Sequence, residues 1–337
     1  KDLDYLNALI SPKSKGARVF DETTFYQASD FIQYINELDL NYKIKDIYHT
    51  NGVFYLTSVY HKNNLQVKIV TDGEKIIRYY EAIKLKTTRY LCDVSYDGTT
   101  YHGFQKQQNQ ITIQSKIEET IHQAFGKKVQ IHGSGRTDKG VHAVHQMFHF
   151  DLDVKLPETK VMTVLNHLLP KDITIHQVYK VPQTFHARYD VFQKAYLYKI
   201  NVGEYSPFSA NYVMNVENMN MAKFTQVLQL FVGTHEFYSF TKNRDVNTVR
   251  TIHHIDVEKN GDIVNILITG NGFLRYMVRY IIGAAVEVAQ GKATYTITEA
   301  LTTKNKELLK HLAKPNGLYL YQVKYQEDID ELSTFDL

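Results

Sequence analysis

Twice along this 337-residue chain the hydrophobic period switches from about two residues to about 3.6 and back, in the same order. RYLCDVSY (89–96) alternates as a strand, and ITIQSKIEETIHQAF puts Ile113, Ile117, Ile121 and Phe125 on one helical face. KVQIHGS and VHQMFHF then read as strands, followed by a helix over 158–169 and a strand over 172–180. A second set opens with the strand KAYLYKINV (194–202) and a helix over 220–231. It continues with RTIHHIDVEK and DIVNILIT as a hairpin around Asn260-Gly261, a long helix over 272–290 and a last strand over 318–325. Each set has to bury one face of its strands beneath its own helices, so the order implies two related α+β halves facing one another. No residue-level repeat accompanies it.

Residues 1–88 differ in scale. A helix is expected from Thr23, with Phe25, Ala28, Phe31, Ile32 and Ile35 at helical spacing. IKDIYHT, VFYLTSVY, LQVKIV and KIIRYY follow, separated by Asn51-Gly52, Asn63-Asn64 and Asp72-Gly73, which predicts an antiparallel meander. This is read as a small α+β domain, with AIKLKTT (82–88) as its junction. No motif gives it a role, and an unknown partner is left open for it.

Cys92 is the one cysteine, so an internal disulfide is excluded, and a single thiol fits a reducing compartment. KDLDYLNALISPKSKG lacks the basic-then-apolar pattern of a signal peptide. The segment 272–291 is the most apolar stretch, but Arg275, Arg279 and Glu287 interrupt it, so no membrane span is expected. These features imply a cytoplasmic protein. Charge is uneven: +7 over 89–326, against +1 over 1–88 and −5 over the acidic tail 327–337. A moderately basic middle suits a polyanion such as nucleic acid.

The densest chemistry lies in GSGRTDKGVHAVHQMFHF, residues 133–150. His142, His145 and His149 would share a face on a helix, as zinc ligands can. The alternation of VHQMFHF favours a strand instead, with His145, Met147 and His149 on one face, and recognisably spaced co-ligands are missing; no metal is expected. GSGRTDKG lacks both the Lys-Ser/Thr of a P-loop and the third glycine of a dinucleotide fingerprint. Asp138 in a glycine-bounded turn is a candidate nucleophile, although aspartate is also an ordinary turn residue.

GRTDKGVHA (135–143) resembles the signature of the tRNA pseudouridine synthase A family, and it has company. YDGTTYHGFQ (96–105), FHAR (185–188), KAYLY (194–198), GTHEFYSF (233–240), MVR (277–279) and GLYL (317–320) match further motifs of that family in the same order. The likeness covers about 89–325. It implies an α+β fold of two ferredoxin-like halves (89–190 and 191–326) that form a continuous antiparallel sheet with helices on one side and a central basic cleft. It also implies a homodimer acting on tRNA, isomerising uridine to pseudouridine in the anticodon stem-loop at positions 38–40, without a cofactor. By the same resemblance Asp138 is the essential aspartate, Tyr196 the tyrosine that stacks on the base and moves a proton, and Arg279 the arginine paired with the aspartate. Arg136 is then the residue that helps flip the nucleotide, and Leu318 lines the uracil pocket.

Breaking N1–C1′, turning the base and joining C5 to C1′ needs no redox step, metal or external donor. A carboxylate can attack the sugar or remove its C2′ hydrogen, and both roles need the ionised form, which a nearby Arg279 favours. The target base has to leave its stack for a pocket of apolar and aromatic walls, for which Tyr196, Phe104 and Leu318 are candidates. Lys139, Arg188, Lys106, Lys242, Arg244 and Arg250 are candidate phosphate contacts, although a solvated surface charge is the commoner role for any one such residue. Lys139 stands where the family commonly has Ala, and Phe104 where it commonly has Trp. The extension 1–88 is the larger departure, leaving open another RNA target. A non-catalytic RNA-binding or tRNA-folding protein on the same scaffold is the alternative in another class; a metal hydrolase is the third.

Overall fold

The computed structural model describes residues 43–50, 53–60, 63–71, 76–83, 87–243 and 247–334. The helix expected from Thr23 and residues 84–86 of the junction lie outside the described residues, as does Arg244. Strands β1 (Lys43–Thr50), β2 (Val53–Tyr60), β3 (Asn63–Thr71) and β4 (Ile76–Ile83) form an antiparallel meander in the order of the chain. Asn63 and Asn64, expected in a turn, begin β3 instead.

The larger sheet begins with β5 (Thr88–Tyr96), followed by α1 (Ile113–Phe125), β6 (His132–Gly133), β7 (His142–Leu152), α2 (Glu158–Leu168) and β8 (Ile173–Val181). Helix α1 is bounded as the sequence dictates: the Thr112 hydroxyl accepts from Ser115 N–H at 3.2 Å, and Gly126 closes the helix at φ 69°. Its Ile113, Ile117 and Ile121 are fully buried with Tyr90, Cys92, Val94, Val161 and Leu165. Each such isoleucine contributes about 1.5–3 kcal/mol by leaving water. The expected strand over 128–134 shrinks to two residues, and the Ile131 N–H just before them donates to the Glu118 carboxylate at 3.1 Å instead of to a strand partner.

The second half comprises β9 (Val191–Asn201), β10 (Met214–Asn215), α3 (Met221–Gln229), β11 (Gly233–Glu236), β12 (Val249–Asn260), β13 (Ile263–Gly270), α4 (Met277–Ala289), α5 (Ile297–Thr302), β14 (Leu318–Tyr325) and α6 (Ile329–Thr334). Helix α4 starts later than its apolar run, since Tyr276 stands before it in the left-handed region, φ 66°. Val264, Ile266 and Ile268 of β13 pack beneath α3 and α4 with Phe224, Ile281 and Ile282.

The strands run β11-β12-β13-β9-β14-β7-β5-β8, so one sheet spans both halves. It is antiparallel except where the halves meet and where short β10 adds to β9. There β14 lies parallel to β7 through only Tyr319–His142 and Leu320–Ala143. The exception follows from topology: β14 takes its direction from antiparallel pairing with β9, and that direction coincides with β7. The chemistry-bearing residues gather at this seam.

Candidate active site

The turn between β6 and β7 is pinned from four directions. Ser134 N–H donates to Met147 O at 2.6 Å, and the Ser134 hydroxyl bonds the Gln146 side-chain carbonyl. Gln146 Nε2 donates to Gly135 O at 3.1 Å. From β5, the Tyr96 hydroxyl meets Thr137 Oγ1 at 2.8 Å. From the following loop, Phe104 N–H donates to Thr137 O at 3.1 Å. From β9, Lys194 Nζ donates to Ser134 O at 2.7 Å. Two glycines permit this closeness. Gly103, at φ 87°, would place a Cβ 2.6 Å from Thr137 O, and a Cβ on Gly133 would sit 2.4 Å from the Phe104 ring.

Asp138 emerges from this turn with its side chain about one-fifth exposed, and Arg279 Nη1 donates to its Oδ2 at 3.2 Å. Arg279 is itself fixed: Nε donates to Ala313 O at 2.8 Å, and its guanidinium lies 5.4 Å from the Tyr276 ring. Burial pushes the Asp138 pKa above the usual carboxylate value, and the cations Arg279 and Arg275 oppose that without cancelling it. The sequence expectation considered only the downward pull of Arg279; desolvation outweighs it.

Tyr196, on β9, pairs in register with Ile268 and Leu320 and packs edge-on against Phe273 at 5.0 Å. Burial, then the Asp138 charge, push its phenol well up, so it is a neutral hydroxyl beside a carboxylate. Leu318 opens β14 opposite Tyr198 and is 5% exposed. Arg136, Arg188 and Lys139 are exposed. Arg188 and Arg275 lie near enough to Arg136 to add to the lowering that burial causes in its pKa, which marks a concentration of cations. Phe104, at 3% exposure, lies in the core under the turn rather than on a wall.

Asp138, Tyr196, Arg279 and Leu318 thus converge from the β6–β7 turn, β9, α4 and β14 at the seam. The three histidines of the sequence motif are separated instead. His142 stacks on Tyr319 at 4.7 Å, His145 bonds Asp93 at 2.8 Å, and His149 stacks on His132 at 5.0 Å. Among the described residues no group of three His, Cys, Asp or Glu side chains has the geometry to hold a metal ion. Of the other candidate cations, Lys106 pairs with Glu118 at 3.0 Å, Lys242 lies 5.7 Å from the Tyr276 ring, and Arg250 bonds backbone carbonyls at 247 and 249.

Sequence reasoning passed over Lys194, whose pKa burial and Arg188 lower to about 8. The signal was present: Lys194 and Tyr196 are two apart on a strand and therefore share a face. It also passed over Arg275, which bonds the Tyr276 hydroxyl at 2.8 Å, and Gln146.

No helix among the described residues is long and apolar enough to cross a membrane. A family model described as tRNA pseudouridine synthase matches residues 94–190 and 227–326. The chain is 40% identical to tRNA pseudouridine synthase A 2 of Bacillus anthracis over 242 residues, 70% of this chain and 99% of that protein. It is 36% identical to tRNA pseudouridine synthase A of Oceanobacillus iheyensis, over 71% of this chain and 98% of that one. A solved Cbf5-Nop10-Gar1 complex aligns at TM-score 0.27 and 12% identity, over 70% of this chain and 60% of that one, too loosely to support an argument. The order of the two matched segments follows the two halves of the sheet, and with relatives matched almost end to end the chain belongs to the tRNA pseudouridine synthase family.

Proposed function

We propose that this protein isomerises uridine to pseudouridine in the anticodon stem-loop of tRNA, at positions 38–40, with Asp138 as its catalytic carboxylate. The observation that carries the reading is the Asp138–Arg279 contact at 3.2 Å beside the Tyr196 ring, at the seam of the two halves. Asp138 reaches the sugar of a flipped nucleotide, and its ionised form attacks C1′ or removes the C2′ hydrogen. N1–C1′ breaks and the base turns; as C5 joins C1′ the Asp138–C1′ bond breaks, or C2′ regains its hydrogen from Asp138, and the C5 hydrogen then leaves as a proton while N1 gains one. Arg279 holds the carboxylate in its ionised form and in one orientation. Tyr196, kept neutral by burial, offers a ring to the base and a hydroxyl to the moving proton. Leu318 supplies an apolar wall.

Arg136 enters the space the flipped nucleotide vacates, and Arg188 and Lys139 meet backbone phosphates, as exposed cations can. The protein acts as a homodimer in the cytoplasm, each copy contributing a basic cleft to one tRNA. Pseudouridine mapping on unmodified tRNA transcripts tests the reading. New pseudouridine confined to the anticodon stem-loop is expected. Modification elsewhere would redirect the target, and tight tRNA binding with no pseudouridine would mean a non-catalytic RNA-binding protein.

A further inference from the structure

Among the described residues, several of the partners that meet the N-terminal sheet lie on one segment. Val53 of β2, 1% exposed, packs with Leu91, Met147, Phe185, Ala187 and Leu332 on the sheet face opposite α1 and α2. Gln66 of β3 is buried, and its Oε1 accepts from Gln183 N–H at 2.7 Å. Lys68, two residues on and therefore on the same face of β3, is also buried. Its ammonium lies 2.7 Å from Asp190 Oδ2, bonds the Glu327 carboxylate, and stands 5.4 Å from the Phe185 ring. Four of these partners, Gln183, Phe185, Ala187 and Asp190, belong to the link between β8 and β9.

That link carries Arg188. Asp190 closes it as a loop, accepting from His186 N–H at 2.7 Å while its own N–H donates to His186 O at 3.2 Å. Inside the loop, Ala187 N–H donates to His149 Nδ1 and Arg188 N–H to His186 Nδ1, each at 3.1 Å. Tyr325 bonds Ala187 O at 2.8 Å from beneath. Both ring nitrogens serve as acceptors, which requires neutral imidazoles. Burial lowers the pKa of His186 to about 4 and drives that of His149 lower still. Arg188 therefore projects from a loop closed by Asp190, whose carboxylate is bonded in turn to Lys68.

We propose that the N-terminal sheet is a brace for the Arg188 loop, with Lys68 as the positioning residue that ties Asp190 and Glu327 together and so sets the affinity of the cleft for the tRNA backbone. A buried lysine facing two carboxylates serves position better than stability, because desolvation offsets much of the attraction while fixing one geometry. Replacing the lysine leaves the two carboxylates without that cation, and the loop that Asp190 closes must shift. The proposal rests on the reading of tRNA as the ligand of this cleft.

The test is a cycle of Lys68→Met, Arg188→Ala and the double variant in the full chain, with tRNA Kd, KM and kcat measured at one salt concentration. Lys68→Met should raise Kd and KM about five- to tenfold with kcat within about twofold of wild type. In the Arg188→Ala background it should add nothing, because the loop then has no cation to place. Lys68→Arg should recover most of the affinity. If Lys68→Met does not fold, Gln66→Ala loosens the same loop through one hydrogen bond and should raise Kd and KM in the same direction. Unchanged Kd in the folded variant, or a Lys68 effect fully additive with Arg188→Ala, would overturn the brace. Wild-type protein that binds tRNA but forms no pseudouridine would defeat the catalytic reading instead, and the Kd cycle would still decide on the brace.

Discussion

At Asp138 two influences oppose one another: burial raises its pKa, and Arg279 and Arg275 hold that rise in check. In the proposed reaction the ionised form is the reactive one, so the acid limb of kcat/KM against pH should lie above the range of an ordinary aspartate. Arg279→Gln removes the strongest opposing charge and should move that limb further up; a limb left in place, or moved down, would contradict the pairing. Stability follows with its own sign. A carboxylate whose folded pKa is raised binds more protons folded than unfolded, so its contribution falls as pH rises from the unfolded to the folded pKa. Asp138→Asn should flatten that part of the stability profile. Tyr196→Phe keeps the ring and loses the hydroxyl, and should lower kcat by about 10- to 1,000-fold with tRNA Kd unchanged.

Residues were unequally legible. The Asp138–Tyr196–Arg279 set came from ordered motifs rather than from physics, since an aspartate in a turn or an arginine on an apolar helix is commonplace. The physical pattern alone pointed to Lys194, through its i, i+2 relation to Tyr196, and that signal went unused. The pair Lys68–Asp190 had no signal at all, because nothing local links positions 122 residues apart in sequence.

Among elements, the turn from Gly133 to Val141 shows how the motif glycines act through close approach. Gly133→Ala sets a methyl against the Phe104 ring, and should cost about 1–3 kcal/mol of stability and displace the aspartate turn. Thermal unfolding and turnover, measured together, should both fall. Loss of neither would mean that the ring moves aside freely. Helix α1 was readable end to end, from the Thr112 cap to Gly126, because its caps and its isoleucine stripe agree. Helix α4 was readable in its apolar body but not at its start, where Tyr276 adopts a left-handed backbone that brings Arg275 and Arg279 around one ring. The short β6 escaped alternation rules because a side chain, Glu118, takes the Ile131 N–H that a longer strand would have paired. Helix α5, six residues under its own Thr296 capping box, was too short for periodicity to register.

For the whole molecule, two halves meet along a parallel seam of two residue pairs, and the extension packs on the sheet face that α1 and α2 leave uncovered. The alternation of strands and helices disclosed the two halves, and the family resemblance implied their single sheet. Alternation could not disclose the seam, which depends on how β14 inserts between β9 and β7. Deleting residues 1–86 exposes Leu91, Phe185 and Ala187 and removes the Lys68 cation from Asp190 and Glu327. Such a truncation should melt at lower temperature and bind tRNA more weakly than the full chain, as differential scanning fluorimetry and filter binding would show. Equal melting and equal affinity would make the sheet a passive attachment.

The proposed division of labour has a partly buried carboxylate at the seam perform the chemistry while the surrounding cations hold the RNA. Single-turnover conversion of a tRNA transcript by the Asp138→Asn variant, with tRNA Kd measured on the same preparation, tests it most directly. No pseudouridine above background and a Kd within about threefold of wild type are expected. Conversion at a rate near that of wild type, with binding intact, would contradict it.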